Sequence, residues 1–159
     1  MTQRIAIEDV RPAVSGGLRP VKAVVAEHVP VRATVWREGH AAVAAEVVWS
    51  GPGDRAPRRT RMAPGPDHRW EAVVVPDRPG EWVFRVEAWS DPWATWRHAV
   101  TVNLAAGRST AELDPDLEEG ARLLERACTS TGAIEPRAWF CWKKPGRFLV
   151  GSTCAGAGG

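Results

Sequence analysis

The 159-residue sequence has no tyrosine and few cysteines, and the shortage of cysteine excludes two kinds of site. The three cysteines, Cys128, Cys141 and Cys154, all lie in the last fifth of the chain. An odd count does not fit a closed disulfide framework, and the spacing of these residues matches no zinc-binding pattern. The sequence therefore predicts neither a disulfide framework nor a zinc site.

Long apolar runs and a strong charge of one sign are also missing. No run approaches the roughly 20 apolar residues that a membrane helix needs. The N-terminus, MTQRIAIEDV, has no apolar core of a signal peptide. The formal net charge is only +2, and the basic residues do not gather into one block. We therefore expect a cytoplasmic protein that has neither nucleic acid nor a membrane as a partner.

Patterns typical of catalysis or metal binding are missing as well. The sequence contains no Ser-His-Asp arrangement, nucleophile elbow, P-loop or Gly-x-Gly-x-x-Gly context. Its four histidines are scattered and never share a metal-ligand spacing. One of them, His98, lies in an apolar pattern and is interpreted as a core histidine. We expect no catalytic residue, no metal and no cofactor in this chain.

Short alternating apolar segments make up most of the chain up to residue 102. They predict strands over residues 4–10, 21–26, 29–38, 43–50 and 69–75, and two more within residues 76–102 that meet at an Asp91-Pro92 corner. Residues 51–67 are rich in Gly, Pro and Arg, which predicts a long loop; the alternative is an edge strand over residues 58–62. Strands at intervals near ten residues, with turn residues between them, are typical of an antiparallel sandwich. The predicted fold is mainly β, an immunoglobulin-like antiparallel β-sandwich with one C-terminal α-helix and an irregular tail.

Tryptophan is concentrated in residues 76–102, PDRPGEWVFRVEAWSDPWATWRHAVTV. Most of these rings are expected to pack a β-core, because aromatic residues favour half-buried pleated surfaces. Trp89, Trp93 and Trp96 lie around the Asp-Pro corner, and exposed rings can stack on the C–H faces of sugars. They are the candidate substrate-binding residues. The alternative is a hydrophobic corner that docks a neighbouring domain or subunit.

The periodicity becomes helical after residue 103. Apolar residues recur at Leu113, Leu117, Ala121 and Leu124, and Asp114 followed by Pro115 predicts the start of a helix over residues 114–127. From residue 128 onward no period is sustained. We therefore expect a β-sandwich domain over residues 1–105, a linker and the first helix of a truncated helical domain over 106–127, and an irregular, non-native tail over 128–159. Removal of the tail is expected to leave the thermal unfolding midpoint nearly unchanged.

Four strings carry a resemblance to a known family. They are RIAIEDVRPAVSGGLRPVKAVVAEHVPVRATVWREGH, TRMAPG, RWEAVVVPDRPGEWVFRVEAWSDPWATWRH and DLEEGARLLERA, in this order. From about residue 4 to residue 127 the chain resembles the N-terminal region of the bacterial alpha-1,4-glucan:maltose-1-phosphate maltosyltransferases. The resemblance implies a β-sandwich N-domain and the start of a helical bundle, both contributing to a homodimer interface, ahead of a catalytic (β/α)₈ barrel of the alpha-amylase type.

The function implied by the resemblance belongs to the full enzyme. That enzyme transfers maltosyl units from maltose 1-phosphate to an α-1,4-glucan with retention, through a carboxylate nucleophile and a carboxylic acid/base. No position here matches the barrel or its carboxylates. We therefore expect a dimerisation and domain-docking fragment of a glycogen-type maltosyltransferase, inactive alone. The alternatives are a free-standing carbohydrate-binding module that uses the tryptophan corner, and an adaptor without any connection to sugar.

Overall fold

Alternating apolar side chains place the strands in two facing sheets. The computed structural model describes residues 5–129 and 142–151. Its strands are β1 (Ile5–Arg11), β2 (Val21–Val24), β3 (Val29–Arg37), β4 (Val43–Ser50), β5 (Arg58–Arg61), β6 (Ala63–Pro64), β7 (Arg69–Val74), β8 (Gly80–Ser90) and β9 (Trp142–Gly151). One sheet has the order β1-β3-β7-β6 and the other β2-β9-β8-β4-β5. All neighbours are antiparallel except β2 and β9, so the predicted mainly-β sandwich is confirmed.

The inner faces of the two sheets share one apolar core. Val31 and Val35 of β3 are fully buried, and they meet Val47 of β4 and Val86 of β8 in the same cluster. Their burial follows the period of two that predicted these strands. Strand β4 differs, because it is buried on both faces over six consecutive residues. Side chains therefore cover the outer face of the five-stranded sheet at β4, whereas Val83 of β8 on the same face is 44% exposed.

Trp82 is the aromatic centre of the core. Its ring is fully buried, and its centroid lies 5.2 Å from that of Trp49 and 6.3 Å from that of Phe148. The Trp82 and Phe148 rings are nearly parallel, at 4°. The indole N–H of Trp82 donates to the Arg78 carbonyl at 3.0 Å, so burial leaves no polar atom of the ring without a partner. Trp82 thus joins β8 to β4 and β9.

The second of the two strands predicted within residues 76–102 is wrong, because the chain after Asp91 forms helix α1 (Pro92–Ala105). Asp91 is an N-cap whose side chain accepts from the Ala94 N–H, and Pro92 occupies the first turn. An Asp-Pro pair that predicts a strand corner is therefore equally a helix start. His98 lies exposed on this helix, so the prediction of a core histidine is also wrong.

The predicted C-terminal helix is present as α2 (Thr110–Thr129), but it begins before Asp114. Its first turn is fixed by Ser109 and Glu112, since the Glu112 carboxylate accepts from both the backbone N–H and the hydroxyl of Ser109. Pro115 therefore lies inside the helix rather than at its first position. Neither of the two described helices combines the length and the apolar character that a membrane crossing requires.

The prediction of an irregular segment after residue 128 is wrong for residues 142–151. These residues form β9, which pairs with β2 on one side and β8 on the other. Phe148 is fully buried and Val150 is 3% exposed, so the strand contributes to the core. The period of two is present at these positions, but it is too short to predict a strand on its own. Residues 130–141 and 152–159 lie outside the described part of the chain, and the non-native origin of the tail stays a prediction.

Candidate interaction site

The corner between β8 and α1 is fixed by Asp91. Its Oδ1 accepts from the Ala94 N–H at 2.9 Å, and its backbone N–H donates to the Ala42 carbonyl at 2.9 Å. The Thr95 hydroxyl donates to the Asp91 carbonyl and accepts from the Ala42 N–H, both at 2.8 Å. The Arg61 guanidinium lies 3.3 Å from Asp91 Oδ2. The first turn of α1 is thereby fastened to the loop before β4 and to the edge strand β5.

Trp89 lies half-buried near the end of β8, and a guanidinium covers one face of its ring. The Arg61 Cζ is 4.8 Å from the ring centroid, which is within cation–π range. The same Arg61 side chain pairs with Asp91, so the cation is oriented from two directions. Because Arg61 occupies this ring face, a sugar that stacks on it must first displace the cation.

Trp93 and Trp96 contact each other on α1. Their ring centroids are 4.7 Å apart and the rings are inclined by 30°. Trp96 is half-buried, and its indole N–H donates to the Asp116 carbonyl of α2. Its ring also covers Gly120 of α2, where a β-carbon would overlap the indole. Trp96 therefore links the two helices, whereas Trp93 is 39% exposed.

The three tryptophans predicted as a sugar site thus have three different surroundings. Trp93 and Trp96 are brought together on α1, while Trp89 belongs to β8 and lies beneath Arg61. Trp93 has the largest exposed fraction of the three rings. The substrate-binding role of these residues stays a prediction, and in this geometry it depends mainly on Trp93.

A group of exposed apolar side chains lies on the α1–α2 hairpin. We call it the hairpin surface, and it consists of Trp93, Leu104, Leu117 and Leu124, which are 39% to 56% exposed. The apolar residues that pack the two helices together are different ones: Val100 is 9% exposed and Leu113 is 1% exposed. The helical stripe that predicted α2 is therefore only partly covered by α1. Exposed apolar groups of this kind are typical of surfaces that meet another protein.

The sequence analysis missed a pair of buried carboxylates on the outer face of the five-stranded sheet. Glu46 of β4 lies directly opposite Glu87 of β8, and the two residues are 5% and 3% exposed. Arg59 contacts both carboxylates, and the Nε of Arg85 donates to Glu87 at 2.6 Å. The available signal was a lone glutamate inside each of two apolar strand segments, VAAEVVWS and FRVEAWS.

Burial governs the electrostatics of this carboxylate pair. Burial raises the pKa of Glu46 above its ordinary value, the Arg59 guanidinium opposes the rise, and the neighbouring Glu87 carboxylate adds to it. Both carboxylates are closed in by arginines, which is typical of a structural ion network. Within residues 5–129 and 142–151, no group of three or more His, Cys, Asp or Glu side chains is placed to hold a metal ion.

Comparison with known proteins identifies one family. The family profile of alpha-1,4-glucan:maltose-1-phosphate maltosyltransferase, domain N/S, matches residues 3–144, past residue 127 where the resemblance was expected to end. The Corynebacterium glutamicum enzyme of that name is 50% identical over 146 residues, covering 88% of this chain and 22% of the relative. A second enzyme of Streptomyces coelicolor is 52% identical over 127 residues, covering 78% of this chain and 18% of the relative.

A more distant relative gives the same picture. The maltosyltransferase of Mycobacterium tuberculosis is 45% identical over 150 residues, which cover 79% of this chain and 21% of the relative. The chain therefore spans about a fifth of the length of the relatives that it matches. Since the family profile matches most of its residues, the chain belongs to the alpha-1,4-glucan:maltose-1-phosphate maltosyltransferase family, of which it represents the N-terminal region, domain N/S.

Proposed function

We propose that this chain is the N-terminal dimerisation and domain-docking part of a cytoplasmic maltosyltransferase that extends α-1,4-glucans, glycogen among them, from maltose 1-phosphate. Membership of the family and the names of its relatives support the reaction. The chain corresponds to about a fifth of such an enzyme, so the transfer step is assigned to the remainder. The role left to this region is to hold protein surfaces together.

The observation that carries this proposal is the hairpin surface. Leu117 and Leu124 lie seven residues apart on α2, two turns along one face, and they are 42% and 52% exposed. Full burial of an exposed leucine side chain contributes about 1.5–3 kcal/mol, and each of these half-exposed leucines has about half of that still to gain. A pair of half-exposed leucines on one helix face is suited to dock a second copy of the chain.

We also propose that the chain is inactive alone, and the carboxylate pair described above supports this. Retaining glycosyl transfer uses two carboxyl groups about 5–5.5 Å apart on either side of the sugar. Glu46 and Glu87 are paired across two strands, but both are buried and bonded to Arg59 or Arg85. A sugar has no access to these carboxylates while the sheet is folded.

Sedimentation velocity over a range of concentrations tests the docking role. We expect the chain to dimerise, and Leu117→Asp to weaken the dimer on the order of tenfold or more, because it places a charge in an apolar contact. Val73→Asp is the matched control, since Val73 is also 42% exposed but lies on β7 in the other sheet. A chain that stays monomeric at every concentration contradicts the proposal, and so does an equal effect of the two substitutions.

The exposed ring of Trp93 favours the second candidate function, a carbohydrate-binding module. Titration with maltoheptaose, followed by tryptophan fluorescence, distinguishes the two functions. We expect no saturable change at millimolar sugar, because Arg61 covers Trp89 and Gly120 supports Trp96. A saturable change that Trp93→Ala abolishes and Trp36→Ala leaves intact would instead establish the module, since Trp36 is half-buried on β3.

A further inference from the structure

Strand β9 occupies a place in the sheet that no other described strand fills. It lies between β8 and β2, and β2 stands at the edge of the sheet with β9 as its neighbour. Phe148 lies opposite Trp82 of β8 on one side and opposite Val21 of β2 on the other. Without β9, the facing edges of β2 and β8 would bound a slot one strand wide, lined by unpaired backbone N–H and C=O groups. We call this place the β2–β8 slot.

The slot recognises its strand through alternate side chains. Phe148 is fully buried, with its ring centroid 5.7 Å from that of Phe84 and 6.3 Å from that of Trp82. Val150, two residues further, is 3% exposed. Two residues before Phe148 the strand has Gly146, where a β-carbon would overlap the Phe84 ring. The inward pattern is therefore Gly-x-Phe-x-Val, in which Phe84 limits the first position and Trp82 and Phe84 surround the second.

The outward positions of the same strand are much less restricted. Leu149 is 46% exposed, and Arg147 is exposed, with its guanidinium 3.4 Å from the Glu81 carboxylate. A surface ion pair at this distance contributes little to binding. The slot thus combines a backbone ladder on both sides with pockets for every second side chain, which is the way that sheet edges bind extended peptides.

The walls of the slot come earlier in the chain than the strand inside it, and only the walls lie wholly within the residues that the family profile matches. Both walls, β2 and β8, precede the helices, whereas β9 follows α1, α2 and residues 130–141. The family profile covers both walls but ends at residue 144, so residues 145–151 of β9 lie beyond it. The walls are therefore features of the family, while the part of β9 that fills the apolar pockets is not specified by the profile.

We propose that the β2–β8 slot is a strand-acceptor site for an extended peptide with the pattern Gly-x-Phe-x-Val. Residues 142–151 fill it within the same chain, and a separate peptide with this pattern binds there when the covalent connection to β9 is cut. The partner is recognised by backbone hydrogen bonds from β2 and β8 and by the stacking of its phenylalanine on Trp82.

The experiment uses the full chain with one specific protease site introduced between residues 130 and 141. After cleavage, the C-terminal piece is expected to co-elute with the sandwich in gel filtration. The nicked protein is then unfolded in urea and refolded with an excess of the labelled peptide WKKPGRFLVG. We expect the labelled peptide to replace the original piece and to co-elute in its place.

Peptide variants decide whether the slot selects its strand. A peptide with Phe148→Ala is expected to compete about a hundredfold less well, because it leaves the space beside Trp82 and Phe84 empty. The matched control is Leu149→Ala, which changes a half-exposed neighbour and is expected to compete like the parent peptide. Separate elution of the cleaved piece, a lack of competition after refolding, or equal competition by the two variants would overturn the proposal.

Discussion

At the scale of single residues, Gly120 decides how α1 and α2 meet. Glycine normally weakens a helix interior by about 1 kcal/mol relative to alanine. Here the absence of a β-carbon lets the Trp96 indole lie directly on the backbone of α2. The same ring donates its N–H to the Asp116 carbonyl one turn earlier, and the Asn103 amide donates to the Asp116 carboxylate at 3.0 Å. Gly120 therefore serves packing between the helices rather than flexibility.

A substitution at Gly120 should consequently be costly in spite of the gain in helix propensity. We expect Gly120→Val to lower the free energy of unfolding by about 3 kcal/mol, since its side chain would displace Trp96. Urea unfolding followed by tryptophan fluorescence measures this change. Ala121→Val is the matched control, because it places the same residue at an exposed neighbouring position, where changes within about 0.5 kcal/mol are usual. An equal loss of unfolding free energy in the two variants would show that the packing of Trp96 on α2 does not require a glycine at position 120.

The residue scale also shows why the candidate site could be located but not interpreted from the sequence. Composition alone singled out Trp89, Trp93 and Trp96, because tryptophan is dense around the Asp-Pro pair. Their surroundings depend on residues distant in sequence, namely Arg61 over Trp89 and Gly120 beneath Trp96. The burial of Glu46 and Glu87 likewise requires the register of β4 on β8. No local pattern contains this information.

At the scale of elements, most strands of the first 90 residues followed from alternation and turn residues, whereas β5 was left open against a loop and β6 was not predicted. The prediction for β4 coincides with the observed bounds, Val43–Ser50, because its apolar run is flanked by turns on both sides. The prediction failed at α1, where Trp96, His98, Val100 and Val102 alternate by coincidence. The cap formed by Asp91 and the tertiary contact of Trp96 with α2 outweigh that alternation.

The sequence analysis missed strand β9 for the opposite reason, because its alternation is too short. Its inward pattern spans only Gly146, Phe148 and Val150, and the glycine weakens any prediction of a strand from local preference. The strand is determined by its neighbours, since Phe84 requires a glycine and Trp82 stacks on a phenylalanine. A segment whose conformation depends on such long-range contacts cannot be predicted from its own composition.

At the scale of the whole molecule, the helical hairpin is inserted in the chain between β8 and β9, which are neighbouring strands of one sheet. The chain leaves the sandwich after β8, forms α1 and α2, and returns with β9 alongside β8. Asp91 fastens the departing end to the sandwich through Ala42 and Arg61. In this arrangement the sandwich presents the hairpin surface, and the segment after the helices completes the sheet. The central claim of this account is that the part of the chain before residue 130 and the part after residue 141 form one folded unit.

The most direct test of this claim is the thermal unfolding midpoint of the chain cut after Thr129. The cut removes the buried Phe148 and Val150 and leaves β2 without its neighbour, so we expect the midpoint to fall by about 15 °C or more. In the uncut chain, Phe148→Ala should lower the midpoint in the same direction, and Leu149→Ala should leave it nearly unchanged. An unchanged midpoint after the cut is the result expected from the sequence alone, and it would contradict the account.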